Sequence, residues 1–588
     1  MNPFGKFREQ ALKQLGRAVS VPKKDIEAIL EKPPEGVGAD LALPCFFLAA
    51  KLKKDPKVIA SGVAEKLKKK QKKRKAADMV SEVKSVGPYV NFYADWGKLN
   101  LLVLQDILKH GDKYGSGTAK AKEKVMTEFA HPNTHKAFHI GHVRNICLGE
   151  AISRVIEFSG SKVVRANYQG DIGPHVAKCI WGFVNIYKKK PAKGIEKGLW
   201  LGEVYAKANQ QVRDNDKLKE EVMEINNRLY SGDKEITKIW KETRKWSLDY
   251  YNGVYKDFGA KFNRLYFESE VEKPGKAVAL ALLKKGIAKK SQGAVVMDFE
   301  SQGLGIFILL TQDGNPLYGA KDLGLARLQV KEHRPDRILH IVGTEQNAYF
   351  RQLFKTLSLL DKNIAKREHH VCYELVNLPT GKMSSRTGTI ITYNELKTKL
   401  VGLAKKVTSQ KNPKLKGKEL DKTAELVAMG ALKYGMLMVS PEKTITFDWD
   451  RALSFEGNSS PYIQYSHARA CSILRKGKAG KAKFGGKVKG KQGMKGAGLT
   501  AEAEIALIKH LAGFPRAVSR AARDLRPHYV ANYVYELATK FNEFYEKCPV
   551  LTSKTKDLQA ARLSLVKATK VVLKNGLGLL GIEAPERM

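Results

Sequence analysis

The stretch that most restricts the fold runs from Val125 to Asn167. Val125-Met126-Thr127-Glu128-Phe129 reads as a strand, Gly141 to Phe158 as a helix, and Ser161 to Asn167 as a second strand. Strand, helix and strand in this order form a βαβ unit, and the crossover makes the two strands neighbours in a parallel sheet. Further strands are expected at Ala294–Phe299, Ile306–Leu310, Arg337–Val342 and His369–Glu374, with helical patterns between them.

The turn inside that unit carries the chemistry. His131-Pro-Asn-Thr-His-Lys-Ala-Phe-His139-Ile-Gly-His142 lies between the first strand and the helix. Open parallel sheets bind ligands at this end of their strands. A helix N-terminus there offers free backbone N–H groups and partial positive charge to a phosphate. Gly141 has no side chain, so a flat base could approach the backbone closely. His139 and His142 are three apart and can face one ligand, donating to a charge-rich transition state. Two blander readings stand beside this one. The four histidines 131, 135, 139 and 142 could bind a metal, or they could be ordinary surface residues.

Around this unit the chain divides into three. Residues 1–98 read as a small separate module of amphipathic helices, broken at Pro33-Pro34 and ending in a strand or strand pair over Val80–Phe92. Its basic run Lys66–Lys75 is either a solvated helix end or an RNA contact. Residues 99–440 hold the α/β unit, with a polar helical insertion at about 188–251. Residues 441–588 are mostly helical, interrupted by the Lys/Gly-rich stretch 475–495, which reads as a disordered basic loop.

Composition matters mainly through charge. Lys plus Arg number 104 against 60 Asp plus Glu, a formal +44. Such an excess favours a polyanionic partner, nucleic acid before an anionic membrane; a bias for solubility is the alternative. The six cysteines are scattered with no Cys-x-x-Cys pair. That speaks against a structural zinc site and a disulfide framework, and fits a reducing cytoplasm. No membrane helix or signal peptide is expected.

A second motif lies some 240 residues past the first: Gly381-Lys382-Met383-Ser384-Ser385-Arg386-Thr387-Gly388. Glycines bracketing Lys, Arg and three hydroxyls suit a loop that closes over a triphosphate. Paired with His-Ile-Gly-His, this segment resembles the two marker motifs of class I aminoacyl-tRNA synthetases. The flanking residues resemble the arginyl-tRNA synthetase family in particular. They include His131-Pro132-Asn133 through Lys136, Asn167-Tyr168-Gln169-Gly170-Asp171-Ile172-Gly173, and Tyr318-Gly-Ala-Lys-Asp322-Leu-Gly324. Gly343-Thr-Glu-Gln346, Gly457 through Arg469, and the C-terminal Asn575-Gly576 to Met588 complete the likeness. Ser385 stands where the class has a second lysine, so the resemblance moves catalytic weight from Lys382 toward Lys136.

The resemblance implies a multidomain α/β plus α protein. A Rossmann-like, doubly wound catalytic domain would sit between an N-terminal α+β tRNA-binding domain and a C-terminal helical anticodon-binding domain. It implies a monomeric, cytoplasmic ligase that uses ATP with Mg2+, L-arginine and tRNA(Arg), with no structural metal. His139, His142, Lys136 and Lys382 would serve catalysis as positive donors. His139, Gly141, His142, Lys382, Met383 and Ser384 would hold ATP. Glu128, Asn133, Glu268, Tyr318, Asp322 and Gln346 would hold arginine, whose planar five-donor guanidinium needs buried acids. Tyr465, Tyr545 and Met588 would meet the anticodon, and Tyr89, Asn91 and Phe92 the tRNA elbow. The rivals are another class I synthetase, a small-molecule adenylyltransferase, and an inactive RNA-binding paralogue.

Overall fold

The computed structural model describes residues 3–31, 33, 37–71, 78–117, 123–377, 391–479 and 498–588. The Lys382 motif therefore lies outside the described residues, as does most of the basic stretch.

The N-terminal module contains α1 (Pro3–Leu15), α2 (Lys23–Ile29), β1 (Leu41–Pro44), α3 (Phe46–Leu52), α4 (Pro56–Gln71), β2 (Val80–Val86) and β3 (Tyr89–Ala94). Of the strand or strand pair expected over Val80–Phe92, the structure has the pair, turned at Gly87 with φ +55°. β1, which the sequence did not suggest, adds to it in the antiparallel order β1-β3-β2. Phe7, Leu15, Leu43, Val83 and Phe92 are wholly buried in a core of this module's own. α5 (Trp96–His110) joins two cores: Leu99 faces this one, while Val103, Leu104 and Ile107 belong to the main core.

Next come β4 (Lys124–Glu128), α6 (Ile140–Phe158) and β5 (Lys162–Gln169), the βαβ unit read from the sequence. The crossover from β5 carries α7 (Pro174–Gly182), α8 (Lys197–Val212), α9 (Asp216–Ser231) and α10 (Lys234–Phe258), and returns through β6 (Arg264–Phe267) to α11 (Glu268–Lys284). β7 (Lys289–Ser291), β8 (Ala294–Phe299) and β9 (Gly305–Leu310) form an antiparallel sheet apart from the main one. α12 (Tyr318–His333), β10 (Arg337–Gly343), α13 (Asn347–Leu360), α14 (Lys362–Ala365) and β11 (Glu368–Tyr373) complete the α/β layer.

The main sheet has the order β11-β10-β4-β5-β6, all parallel. β4 is its centre. From β4 the chain crosses to β5 on one side, and β10 pairs on the other. The order therefore reverses between β4 and β10, which is where open sheets leave a crevice for ligands.

The remaining helices are α15 (Tyr393–Lys411), α16 (Gly417–Leu437), α17 (Trp449–Leu453), α18 (Ser460–Ala479), α19 (Glu502–Ala512), α20 (Phe514–Asp524), α21 (His528–Lys547) and α22 (Lys556–Leu579). The disordered loop expected from 475 is corrected at its start, because 475–479 continue α18. Arg475 Nη1 donates to the Glu586 carbonyl there at 3.0 Å. Arg144 of α6, 1% exposed, ties this half to the sheet by donating to the carbonyls of Met436, Pro441 and Lys443. Among the described residues no helix is long and apolar enough to cross a membrane.

Candidate functional site

The loop from β4 to α6 is held in an uncommon conformation. Ala130, His131 and His135 all have positive φ (77°, 44° and 65°) without being glycine. Side chains in this region cost roughly 1–3 kcal/mol each and persist only where the surroundings impose them. The surroundings are specific. The Ala130 N–H donates to Asn145 Oδ1, and Tyr251 Oη of α10 donates to the carbonyls of Asn133 (2.6 Å) and Lys136 (2.7 Å). His135 is fully buried, with its ring nitrogens on Thr134 Oγ1 (2.9 Å) and Thr243 Oγ1 (2.8 Å). It is a structural pin, and with both nitrogens committed it cannot complete a four-histidine metal site.

His139 is the N-cap of α6. Its Nδ1 accepts the Gly141 N–H at 3.2 Å, and its own N–H donates to His142 Nδ1 at 3.2 Å. The two rings lie 3.9 Å apart between centroids. Burial, with Lys136 nearby, pushes the His139 imidazole down to about 4. Burial, with His139, His131 and Lys136, holds His142 well below its ordinary value. Both are therefore neutral near pH 7 in the absence of a ligand. A neutral imidazole that accepts at Nδ1 carries its proton on Nε2. The helix thus begins with two Nε2–H donors. Gly141 makes room for them, since a Cβ there would lie 3.0 Å from His139 Cε1.

Lys136 extends over the Tyr205 ring of α8 at 4.9 Å, and burial lowers its ammonium from the ordinary value. Thr392, just past the Lys382 motif, forms a backbone bridge to His139, and the Tyr393 N–H donates to the Phe138 carbonyl at 2.7 Å. The chain leaving the second motif thus begins against the first.

The acids gather beside this loop. Gly170 brings two of the expected residues together: a Cβ there would lie 2.4 Å from Asn133 Oδ1 and 3.0 Å from Glu268 Oε1. Glu268, at the start of α11, pairs with Lys321 Nζ at 2.7 Å, both nearly buried. Burial leaves the Glu268 carboxyl above its usual range despite that lysine. Asp322 sits one turn after the exposed Tyr318 on α12. Its Oδ2 accepts from Tyr349 Oη of α13, while Oδ1 is buried with no partner among the described residues. Burial, reinforced by Glu128 and Glu268, pushes this carboxyl up to about 7 against the lowering bond from Tyr349. The Tyr168 hydroxyl of β5 is likewise buried and unpartnered among the described residues. Its environment contains Asp322, Glu268, Tyr349 and Glu128. Buried orphan polar atoms are rare enough to demand an explanation, and a ligand with several N–H groups supplies one.

Glu128 is 3% exposed and already engaged: His340 Nδ1 lies 2.9 Å from Oε1, and Gln329 Nε2 donates to Oε2. His340 reaches on to Glu368 Oε2 at 2.6 Å. Burial alone would neutralise both groups. Each other's charge and their hydrogen bond instead hold Glu128 below its ordinary value and, together with Glu368, His340 well above its own. Gln346 is exposed just past the end of β10.

The RNA candidates divide. Tyr465, Tyr545 and Met588 line one groove of about 880 Å³ with Arg469, whose guanidinium lies 4.9 Å from the Tyr465 ring and 5.2 Å from the Tyr545 ring. Asn91 (2% exposed) and Phe92 (0%) are corrected: both are interior positions of the central strand β3, out of reach of an RNA. Tyr89 is partly exposed, edge-on to Phe46 at 5.8 Å. Phe46 and Phe47 beside it are 54% and 38% exposed, which a helical reading of their stretch does not reveal.

Three family models cover most of the chain: an arginyl tRNA synthetase N-terminal domain at 7–94, the catalytic domain of class I (R) tRNA synthetases at 103–449, and a DALR anticodon-binding domain at 463–588. The arginine–tRNA ligase of Bdellovibrio bacteriovorus is 36% identical, over 98% of this chain and 97% of that protein. That of Clostridium perfringens is 32% identical, over 99% and 100%. The solved structure of Thermus thermophilus arginyl-tRNA synthetase superposes with a TM-score of 0.80 at 26% identity, covering 99% of this chain and 100% of that one. The neutral imidazole pair, the acid-lined slot beside it and the basic aromatic groove thus occur in a chain that belongs to the arginyl-tRNA synthetase family of class I tRNA synthetases.

Proposed function

We propose that the chain is an arginine–tRNA ligase. It activates L-arginine with ATP and transfers the arginyl group to the 3′-terminal adenosine of tRNA(Arg). The observation that carries this reading is the buried Asp322 Oδ1, without a partner among the described residues and in the electrostatic surroundings of Tyr168, near the helix capped by His139. A guanidinium brings five N–H donors and a fixed positive charge to such a slot. An uncharged competitor would leave those buried acceptors unpaired, which rejects it strongly.

In the first step the arginine carboxylate attacks the α-phosphate of ATP, a new P–O bond forms and pyrophosphate leaves. The charge spreads over phosphate oxygens, where positioned donors act best. The Nε2–H groups of His139 and His142 fill that role, with Lys136 supplying a fixed positive charge and Gly141 leaving space for the base. Lys382, Met383 and Ser384 are assigned to the same nucleotide. Magnesium would enter with the nucleotide and would neutralise charge on its phosphates. In the second step a ribose hydroxyl of the terminal adenosine attacks the arginyl carbonyl and AMP leaves. Asn133 and Gln346 are assigned to the α-amino and α-carboxylate groups of arginine, with Glu128 behind them. Tyr318, Asp322 and Glu268 are assigned to the side chain. The groove at Tyr465, Arg469, Tyr545 and Met588 has the stacking faces and positive charge that single-stranded bases favour, and is assigned to the anticodon. Tyr89 is assigned to the tRNA elbow. The enzyme is taken to be cytoplasmic and monomeric.

ATP–pyrophosphate exchange measured with each amino acid, with and without tRNA, tests the reading. Arginine alone should support exchange. Exchange driven by another amino acid and not by arginine overturns it.

A further inference from the structure

We propose that Tyr349 is a specificity-determining residue of the arginine site: its hydroxyl holds one oxygen of Asp322, so that a single carboxylate oxygen is left to select a planar guanidinium. This rests on the function proposed above and adds a residue outside its motifs.

Tyr349 stands on the first turn of α13, three residues past Gln346. Its ring meets Phe307 of β9 edge-on at 5.6 Å. Phe307 can lie there because residue 319 is glycine, where a Cβ would fall 2.5 Å from the Phe307 ring. The hydroxyl is thus aimed by packing from a separate sheet and donates to Asp322 Oδ2. That bond fixes the plane of the carboxylate. It also leaves Oδ1 as the open acceptor, buried and without a partner among the described residues, as is the nearby Tyr168 hydroxyl whose surroundings include Asp322.

Two oxygens at fixed positions suit the forked N–H groups of a guanidinium, which are coplanar and fixed in direction. A lysine ammonium, with tetrahedral donors, gains nothing from that fixed plane. Freed of Tyr349, Asp322 could turn about its terminal torsion and receive either cation. Tyr349 acts through Asp322, so it is a positioning residue for the substrate and not a catalytic one.

The test is Tyr349→Phe, which keeps the ring packing and removes the hydroxyl alone. Losing a hydrogen bond to a charged group should raise the arginine KM roughly tenfold or more. The ATP KM and kcat should stay unchanged, and the preference for arginine over lysine in exchange should fall by a similar factor. Tyr349→His, which restores a donor, should recover part of the loss. An unchanged arginine KM and preference in Tyr349→Phe overturns the clamp. A parallel rise in both KM values with a lowered melting temperature also overturns it, because that is the mark of packing alone. If the unmodified protein shows no exchange with arginine even with tRNA present, the functional reading fails and the clamp with it. If it does and the variant matches it, only the clamp fails.

Discussion

The two ends of the catalytic crevice are built on opposite plans. The described part of the nucleotide end, Lys136 to His142, is one short segment leading into α6, and its imidazoles are neutral. The amino-acid end is collected from β4, β5, α11, α12, β10 and α13, and it is full of charge held in internal pairs: Glu128 with His340, Glu268 with Lys321. The difference follows from the ligands. A polyphosphate brings its own charge and raises the proton affinity of any imidazole beside it. Donors that are neutral beforehand therefore strengthen as charge develops, which favours the transition state over the ground state. A cationic side chain instead needs fixed acids, and acids can be buried only with partners.

The sharpest way to break this contrast is to unbalance the paired end. In His340→Gln, two buried carboxylates lose the cation between them. Breaking a buried pair costs about 3–5 kcal/mol, so a large fall in unfolding free energy is expected, measured by chemical denaturation. The pH dependence follows from the directions of the shifts. The Glu128 contribution is present above its ordinary value near 4.5 and is lost as the pH falls through its lowered folded value. The His340 contribution is complete below its ordinary 6.5 and is lost as the pH rises through its raised folded value. The gap between wild type and variant should be widest between about pH 4.5 and 6.5, and narrow in stronger acid and in alkali. A gap that keeps growing into alkali would show that His340 is not the cation.

Next in size is an effect confined to the other end. His142→Ala removes one aimed donor, worth on the order of 3 kcal/mol, about a hundredfold in kcat for exchange. The arginine KM should not move. Asp322→Asn is the complement: an arginine KM raised on the order of thirtyfold, with the ATP KM unchanged. Crossed outcomes, such as His142→Ala weakening arginine or Asp322→Asn weakening ATP, would show that the two ends are not separable.

The same contrast explains what could be read from the chain. The nucleotide end is local, so its strand, turn and helix were legible, and so was its place at the mouth of a parallel sheet. Asp322 and Glu268 were legible only through family likeness, since nothing in their neighbours marks a carboxylate as buried. Their partners were not seen at all. Lys321 reads as a surface base, and His340 as one polar residue in an apolar strand. Tyr349 sits 27 residues from the acid it holds, on a different helix. Tyr168 was inside a quoted motif, yet nothing in the sequence shows that its hydroxyl lacks a partner. The errors have the same root. Asn91 and Phe92 were offered by the likeness of their module to a tRNA-binding domain, but as adjacent strand residues they point to opposite faces of the sheet, and both are covered. Ala294–Phe299 and Ile306–Leu310 are strands as expected, and only their pairing reveals that with β7 they form a separate antiparallel sheet.

The smallest predicted effect tests how local the nucleotide end is. In Gly141→Ala the new methyl would sit 3.0 Å from His139 Cε1 and 3.1 Å from Nδ1, so the ring must give by a few tenths of an ångström. Residue 141 lies in the first turn of α6, where alanine is the better helix former by about 0.5–1 kcal/mol. The fold should therefore hold its melting temperature or gain slightly. The cost falls on the imidazole, whose Nδ1 accepts from the backbone N–H of that same residue. Tilting the ring mis-aims its Nε2–H, and kcat should drop several-fold, about 1 kcal/mol, while the arginine KM stays put. A variant that becomes more stable and loses rate with an unchanged ATP KM would place the function of this glycine in the space it leaves for the ring, whereas a raised ATP KM would place it in the space for the base. Unchanged kcat would mean that the ring adjusts freely and that its cap geometry does not set the donor's direction.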